Sequence, residues 1–291
     1  MEYIDLHIHS TASDGLYSPE EIVREAVKKG LKAIAVTDHD SVANVAEAVR
    51  IGKEKGLEVI PGIEISVFDR EEGFIDVHVL GYFIDINNHE FLDFLRSASE
   101  ARISQKKLIV ARLRELGYNI RFEEIREIAN GELGRPHIAQ VLMKKHPEEF
   151  PDMDSVFTKM LGSGKDAYIE RDDKVTLRQA ITIIKKAGGI PVLAHPAVYG
   201  GIDIDYLISI FIKYGGMGIE TYYPYDRFKK YKGVNREELW KIINRFQSIC
   251  KEHNLLESGG NDCHGTGRVE IGYLEIPYEI LEKMKEFKKN L

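Results

Sequence analysis

The stretch Ile4-Asp5-Leu6-His7-Ile8-His9 decides how the rest of the chain is read. Apolar and polar residues alternate along it. Ile4, Leu6 and Ile8 fall on one face and Asp5, His7 and His9 on the other, which is the period of a β-strand. Two imidazoles two residues apart on a strand project side by side, and that spacing suits two bonds to one metal ion. Such a pair alone is more commonly an exposed strand face. The weight therefore falls on how many later strands end in the same chemistry.

Outward from this strand, Ser10 to Gly15 reads as a polar loop and Ser18-Pro19-Glu20-Glu21 as the start of a helix. Ser18 suits the N-cap, Pro19 the first helical position, and Glu21 completes a capping box. Gly30 stops that helix. Ala33–Thr37 is a short apolar strand running into Asp38-His39-Asp40, where Asp40 and Ser41 are expected to cap a helix from about Val42 to Lys55. Leu57–Ile60 is a third strand, followed by Glu64, and Val77–Ile84 a fourth, carrying His78. Residues 88 to 166 read as helical throughout. The first rhythm then returns, with strands at Ile190–Ala194, Met217–Tyr222 and Leu255–Ser258 and helices between them. Strand and helix in alternation imply a parallel α/β sheet. The expected organisation is a barrel domain, 1–87 and 167–291, interrupted by a helical subdomain, 88–166. Both ends of that insertion adjoin strands that carry candidate ligands, so it is expected to act as a lid over the barrel mouth.

Composition narrows the function classes. With 291 residues, 43% of them hydrophobic, the chain can bury a large core. A net charge of −7 disfavours non-specific binding of long nucleic acid, though not a local basic pocket. Cys250 and Cys263 cannot make a disulfide framework, and no secretory leader is read at the start, so the expected compartment is the cytoplasm. No apolar run is long enough to span a membrane. No stable protein partner is inferred.

The polar residues of interest share one place on this map. His7, His9, Asp14, His39, Glu64, His195, Asp262 and His264 stand at or just past the ends of different strands, and His78 stands within one. In a parallel α/β barrel the C-terminal strand ends converge on the face that carries the active site. Six imidazoles and three carboxylates can hold two or three divalent cations, and mixed nitrogen and oxygen donors suit Zn, Mn or Fe better than Mg or Ca.

In these motifs the chain resembles the PHP family (polymerase and histidinol phosphatase) of metal-dependent phosphoesterases. His7-Ile8-His9, Thr37-Asp38-His39, Glu64, His195-Pro196 and Asp262-Cys263-His264 match in order over nearly the whole length. Gly134-Arg135-Pro136-His137, Asp166-Ala167-Tyr168-Ile169 and the run Ala187 to Pro196 resemble its TrpH/YciV-type branch. The resemblance implies a distorted (β/α)7 TIM-like barrel, the PHP fold, with an inserted helical subdomain. It implies hydrolysis of phosphate esters of small nucleotides: removal of the 3′-phosphate from a nucleoside 3′,5′-bisphosphate, or 5′→3′ exoribonuclease action on short RNA. It also implies a trinuclear site. His7, His9 and Asp262 would hold one metal, with Glu64 bridging to a second completed by His78 and His195. Asp14, His39 and His264 would hold a third. Cys263 stands where an aromatic is common and is expected to be a buried spacer.

Such a centre is positive inside a negative chain and attracts a phosphate. The expected attack is in line, by a hydroxide bridged between metals, with no protein nucleophile. By the same resemblance Glu64 would be the bridging catalytic residue. Asp38 is expected beside a histidine ligand, and a metal-bound water or Asp38 could serve as general acid. Arg135 and His137, at the start of a helix, are expected to hold a substrate phosphate. Lys106 and Lys107 read as a solvated helix face. The basic run Arg227, Lys229, Lys230 and Lys232, with Phe228 and Tyr231, reads as a solvated loop, and a tyrosine among Tyr222, Tyr223 and Tyr225 as a base-stacking or rim-packing residue. Two alternatives stay open within the resemblance, a histidinol-phosphate phosphatase and a non-catalytic metal-stabilised PHP module. An amidohydrolase-type deaminase on a similar barrel is the third, and the chain shows no strand-end lysine for it.

Overall fold

The computed structural model describes residues 2–128, 133–169, 175–227 and 234–291. The segment Phe228, Lys229, Lys230, Tyr231 and Lys232 lies outside the described residues. In chain order the first elements are β1 (Tyr3–Ile8), α1 (Pro19–Lys28), β2 (Ala33–Val36), α2 (Val45–Lys55), β3 (Glu58–Asp69) and β4 (Phe74–Tyr82). Helices α3 (His89–Glu115), α4 (Phe122–Ile128), α5 (Arg135–Lys145) and α6 (Met153–Val156) follow. Then come α7 (Leu177–Lys186), β5 (Ile190–Leu193), α8 (Ile204–Lys213), β6 (Gly218–Tyr222), α9 (Arg236–His253), β7 (Leu256–Gly259), β8 (Ile276–Pro277) and α10 (Glu279–Lys289). Residue contacts divide the chain into two compact units, Met1–Phe94 with Val175–Leu291, and Leu95–Lys174.

The first unit is a nearly closed barrel with the order β7-β6-β5-β4-β3-β2-β1-β8. Past β7 the chain returns to β1, where Cys263 bridges Ile8 and the His9 N–H donates to the Cys263 carbonyl at 2.9 Å. Gly260 makes this approach possible, since a Cβ there would lie 2.1 Å from the His7 Cβ. The seven strands read from the sequence are all present. The purely parallel sheet is not. β4 runs antiparallel to both β3 and β5. Four residues join β3 to β4, far too few for a crossover helix, so the pair closes as a hairpin. β3 is consequently twelve residues long and carries Glu64 in its middle rather than past its end. The eighth strand, two residues long, pairs antiparallel with β1.

β1 does not alternate strictly. Its register with β2 shifts between Asp5 and Ile8. Ile4 and Leu6 pack with Ala33, Ala35, Leu80 and Val192, whereas Ile8 packs with Ile34 and Val36 against α1 and α2. A bulge of this kind re-aims side chains, and here the ring nitrogens of His7 and His9 converge to 3.1 Å. Cys263 lies in the Ile8 cluster, a buried spacer as expected.

Three N-terminal capping boxes form as their sequences suggest. Ser18 and Glu21 form a reciprocal capping box, as do Thr176 with Gln179 and Asn235 with Glu238. Asp40 does not cap α2; its carboxylate accepts the Ser66 N–H on β3 instead. In the second unit Ile109, Leu113, Ile125, Ile138, Leu142, Phe150 and Leu161 form a separate core. Lys106 is buried rather than solvated, its ammonium donating to Gln105, and Lys107 lies over the Phe122 ring. Among the described residues no helix is long and apolar enough to cross a membrane.

Candidate metal centre

Glu64 is the geometric centre of the cluster. β3 delivers it, fully buried, into a ring of imidazoles. Its Oε1 lies 3.0 Å from His78 Nδ1 and 3.0 Å from His195 Nε2. Its Oε2 lies 3.2 Å from His9 Nε2, 3.2 Å from His39 Nδ1 and 3.3 Å from His7 Nε2. Asp262 Oδ1 stands 3.1 Å from His9 Nε2 and 3.5 Å from His7 Nε2. Asp14 Oδ1, in the loop after β1, stands 3.3 Å from His264 Nε2 and 3.7 Å from His9 Nδ1. All nine side chains singled out in the sequence meet in one place.

Four sets of donor atoms each lie within 4.8 Å of one another: His7, His9 and Asp262; His7, Glu64 and His195; His39, Glu64 and His78; and His9, Asp14, His39 and His264. His39 thus stands between the Glu64 pair and the Asp14 pair. The donors also fit cations by what they lack. His9 Nδ1, His39 Nδ1, His195 Nδ1 and Glu64 Oε2 are buried and make no hydrogen bond. Each buried polar atom left so costs about 1–3 kcal/mol. His9 Nδ1, His39 Nδ1 and Glu64 Oε2 face other donors of the cluster, and three such atoms match a centre that divalent ions complete, whereas His195 meets Glu64 through Nε2.

Electrostatics tie the group together. Burial disfavours charge on His9, yet Asp262 and Glu64 outweigh it and push the imidazole up to about 10. Glu64 and Asp76 do the same for buried His78, also to about 10. For His39 burial wins, helped by His9 and His78 against Glu64 and Asp14, and holds it down to about 3. Glu64 and Asp262, despite burial, are held well below the carboxylate range by the surrounding imidazoles. Two residues of the cluster sit in left-handed backbone, His195 at φ 26° and Asp262 at φ 52°. Backbone of that kind is maintained where surrounding contacts enforce it.

Asp38 is placed differently from the expectation. It is buried, and its carboxylate accepts from Ser10 N at 2.7 Å, Ser10 Oγ at 2.6 Å and Ser13 Oγ at 2.6 Å. Its oxygens hold the loop that carries Asp14, and no histidine is their partner. Tyr223 and Tyr225, just past the end of β6, are buried and pack ring to ring at 5.0 Å, as the rim-packing reading has it, and Tyr223 also donates to Asp262 Oδ2 at 2.7 Å.

Several participants were not singled out from the sequence. Glu220 in β6 is fully buried and meets His7 Nδ1 at 2.9 Å. Asp5, quoted in the opening stretch, accepts from Asn261 N and Nδ2 and from Gly272 N, and so anchors the loop after β7. Burial, partly offset by these donors, pushes Asp5 up to about 6. The Tyr199 hydroxyl accepts the His78 N–H at 2.8 Å and donates to the Ala194 carbonyl at 3.0 Å, tying β4 to the approach to His195. Arg268 lies 3.5 Å from Asp262 Oδ2 with its side chain 46% exposed.

Arg135 and His137 belong to the second unit. Arg135 is the first residue of α5, and its guanidinium donates to the Leu161 carbonyl at 3.4 Å and lies 5.9 Å from the rings of Phe157 and Tyr168. His137 Nδ1 accepts the Gly134 N–H at 3.0 Å and closes the N-terminus of the helix.

A PHP domain model matches residues 5–173. The chain belongs to the PHP family. A 5′-3′ exoribonuclease of Haemophilus influenzae is 34% identical over 92% of this chain and 92% of its own length. A 3′,5′-nucleoside bisphosphate phosphatase of Chromobacterium violaceum is 31% identical over 94% of this chain and 92% of its own. The solved structure of a presumed metal-dependent phosphoesterase from Bifidobacterium adolescentis, 26% identical, superposes with a TM-score of 0.78 over 97% of this chain and 95% of that one. These likenesses run through both units, so the PHP assignment covers the second unit as well as the barrel.

Proposed function

We propose that this PHP-family chain is a metal-dependent phosphoesterase acting on phosphate esters of small nucleotides or short oligonucleotide ends. The observation that carries it is the buried Glu64 carboxylate with five imidazoles at 3.0–3.3 Å, beside Asp262 and Asp14. His7, His9 and Asp262, then Glu64, His78 and His195, then Asp14, His39 and His264 would hold two or three ions of Mn, Zn or Fe. What such ions supply when bound is an acidified water and positive charge against the phosphoryl oxygens.

The chain's own residues prepare that chemistry. Tyr223 takes one oxygen of Asp262 and leaves Oδ1 turned to His9 and His7. Asp38 fixes the Ser10–Ser13 loop and with it Asp14. Arg268 sets a permanent positive charge, half open to solvent, next to Asp262, where an arriving phosphate can pair with it in bidentate fashion. In this reading residues 88–166 form the insertion, and Arg135 and His137 at the start of α5 read the substrate's phosphate.

Phosphate release by the manganese-loaded protein decides the matter. Adenosine 3′,5′-bisphosphate, AMP, histidinol phosphate and a short 5′-phosphorylated RNA are compared. Turnover of the bisphosphate or the RNA is expected. Preference for histidinol phosphate would replace the substrate assignment, and no release from any of the four would refute catalysis.

A further inference from the structure

β6 carries a carboxylate where its neighbours predict none. Glu220 sits in Gly218-Ile219-Glu220-Thr221-Tyr222, fully buried, between residues that are themselves buried. Its two oxygens have different partners. Oε1 meets His7 Nδ1 at 2.9 Å, and Oε2 accepts the backbone N–H of His195 at 2.8 Å. With both Glu220 oxygens accepting, the proton of a neutral His7 ring sits on Nδ1. The lone pair of His7 is then on Nε2. That atom faces His9 Nε2 at 3.1 Å, Glu64 Oε2 at 3.3 Å and Asp262 Oδ1 at 3.5 Å.

The second contact addresses a different problem. β5 pairs with β6 through Val192–Gly218 and Leu193–Ile219. Two residues further on, the chain swings into left-handed backbone at His195 and then into the short turn Pro196–Val198. The His195 N–H has left the ladder there, and the Glu220 side chain receives it. The strained residue is held in the orientation that presents its Nε2 to Glu64.

We propose that Glu220 is a positioning residue that sets two ligands at once: the tautomer and ring orientation of His7, and the backbone of His195. These two come from different strands and share one set of donors with Glu64, so a single side chain couples positions contributed by β1 and by the end of β5. A carboxylate is required because both partners are donors. Glutamine offers one acceptor and one donor, so whichever way it turns, one N–H faces an amide NH2. This inference rests on the metal-centre reading above.

The test is a titration of metal-stripped protein with manganese(II), free ion being read by its paramagnetic resonance signal. Wild type, Glu220→Gln and Ile219→Val are compared, the last being a buried change on the same strand that touches no ligand. Glu220→Gln is expected to weaken manganese binding by roughly 10- to 100-fold, the usual effect of removing a partner that orients a ligand, and at more than one position. Ile219→Val is expected to bind as wild type does. Should Glu220→Gln not fold, Glu220→Asp keeps both acceptors but withdraws them by one methylene, and at least a tenfold loss is expected. Wild-type manganese affinity in folded Glu220→Gln or Glu220→Asp overturns the inference. A wild-type protein that binds no manganese tightly overturns the metal-centre reading and the inference together.

Discussion

Gly260 stands at the barrel seam directly behind His7, and replacing it with alanine tests whether that seam sets the site. The added Cβ would lie 2.1 Å from the His7 Cβ, 2.4 Å from its backbone N and 2.7 Å from its Cα. Carbon atoms rest at about 3.5–4.0 Å, so the seam must open by about 1.4 Å. No rotamer change relieves this, because two of the three atoms are backbone of a strand paired with β2 and β8. Overpacking costs about 1–3 kcal/mol when side chains can yield, and backbone resistance puts this site at the upper end, about 3 kcal/mol. For a chain of this size each kcal/mol lowers Tm by about 2–4 °C, so Gly260→Ala should melt roughly 6–12 °C below wild type. The His7 ring would move with its backbone, and manganese affinity should fall at least about tenfold, by analogy with other disturbances of ligand orientation. Gly200→Ala is the control, since a Cβ there meets nothing within 4 Å. Differential scanning calorimetry and a manganese titration read both effects. A Gly260→Ala protein that melts within a degree of wild type and binds manganese equally would refute the argument.

Glu64→Gln keeps the side chain's volume and removes the charge shared by five imidazoles; turnover should drop more than about a hundredfold with the far-ultraviolet circular dichroism unchanged, and near-normal turnover would show that the carboxylate is not the bridge. Arg135→Ala should leave manganese content intact and lower hydrolysis of adenosine 3′,5′-bisphosphate roughly ten- to a thousandfold, the range for losing a charge-assisted contact and some positioning, with AMP less affected; equal kinetics on every ester tested would reject the role. Against the opposing effect of burial, His9 is raised to about 10 by Asp262 and Glu64, and His78 to about 10 by Glu64 and Asp76. Metal binds the neutral ring, so manganese uptake at pH 8 should release protons and tighten with rising pH, as calorimetry in two buffers of different ionisation enthalpy would measure. A group raised in the folded state stabilises fully below its unfolded value, about 6.5, and loses that contribution as pH climbs through the folded one. The metal-stripped protein should therefore lose stability between pH 7 and 10, and a flat profile across that window would contradict the sign.

The donors of the cluster were legible because histidine and carboxylate types stand out at strand ends, where an α/β barrel collects its chemistry. Their supporting contacts were not, because each joins positions that only the closed barrel brings together. Glu220 is 213 residues from His7, and Asn261 is 256 from Asp5. Asp38 shows the opposite error: a histidine ligand was the expected partner, and Ser10 and Ser13 hold its carboxylate instead. The direction of β4 was hidden for a similar reason. Ile63, Ile65 and Val67 alternate with Glu64, Ser66 and Phe68, but the third strand read from the sequence stops at Ile60, short of the four-residue turn that forces a hairpin. Glu220 did leave a trace. Met217 to Tyr222 was recognisable as a strand inside a barrel flanked by helices on its outer side. A charged residue in the middle of such a strand has no solvent to reach on either face, and an unpaired buried charge is too costly to keep. Its partners had to be donors, and the donors available to a barrel interior near the strand ends were the histidines already in hand.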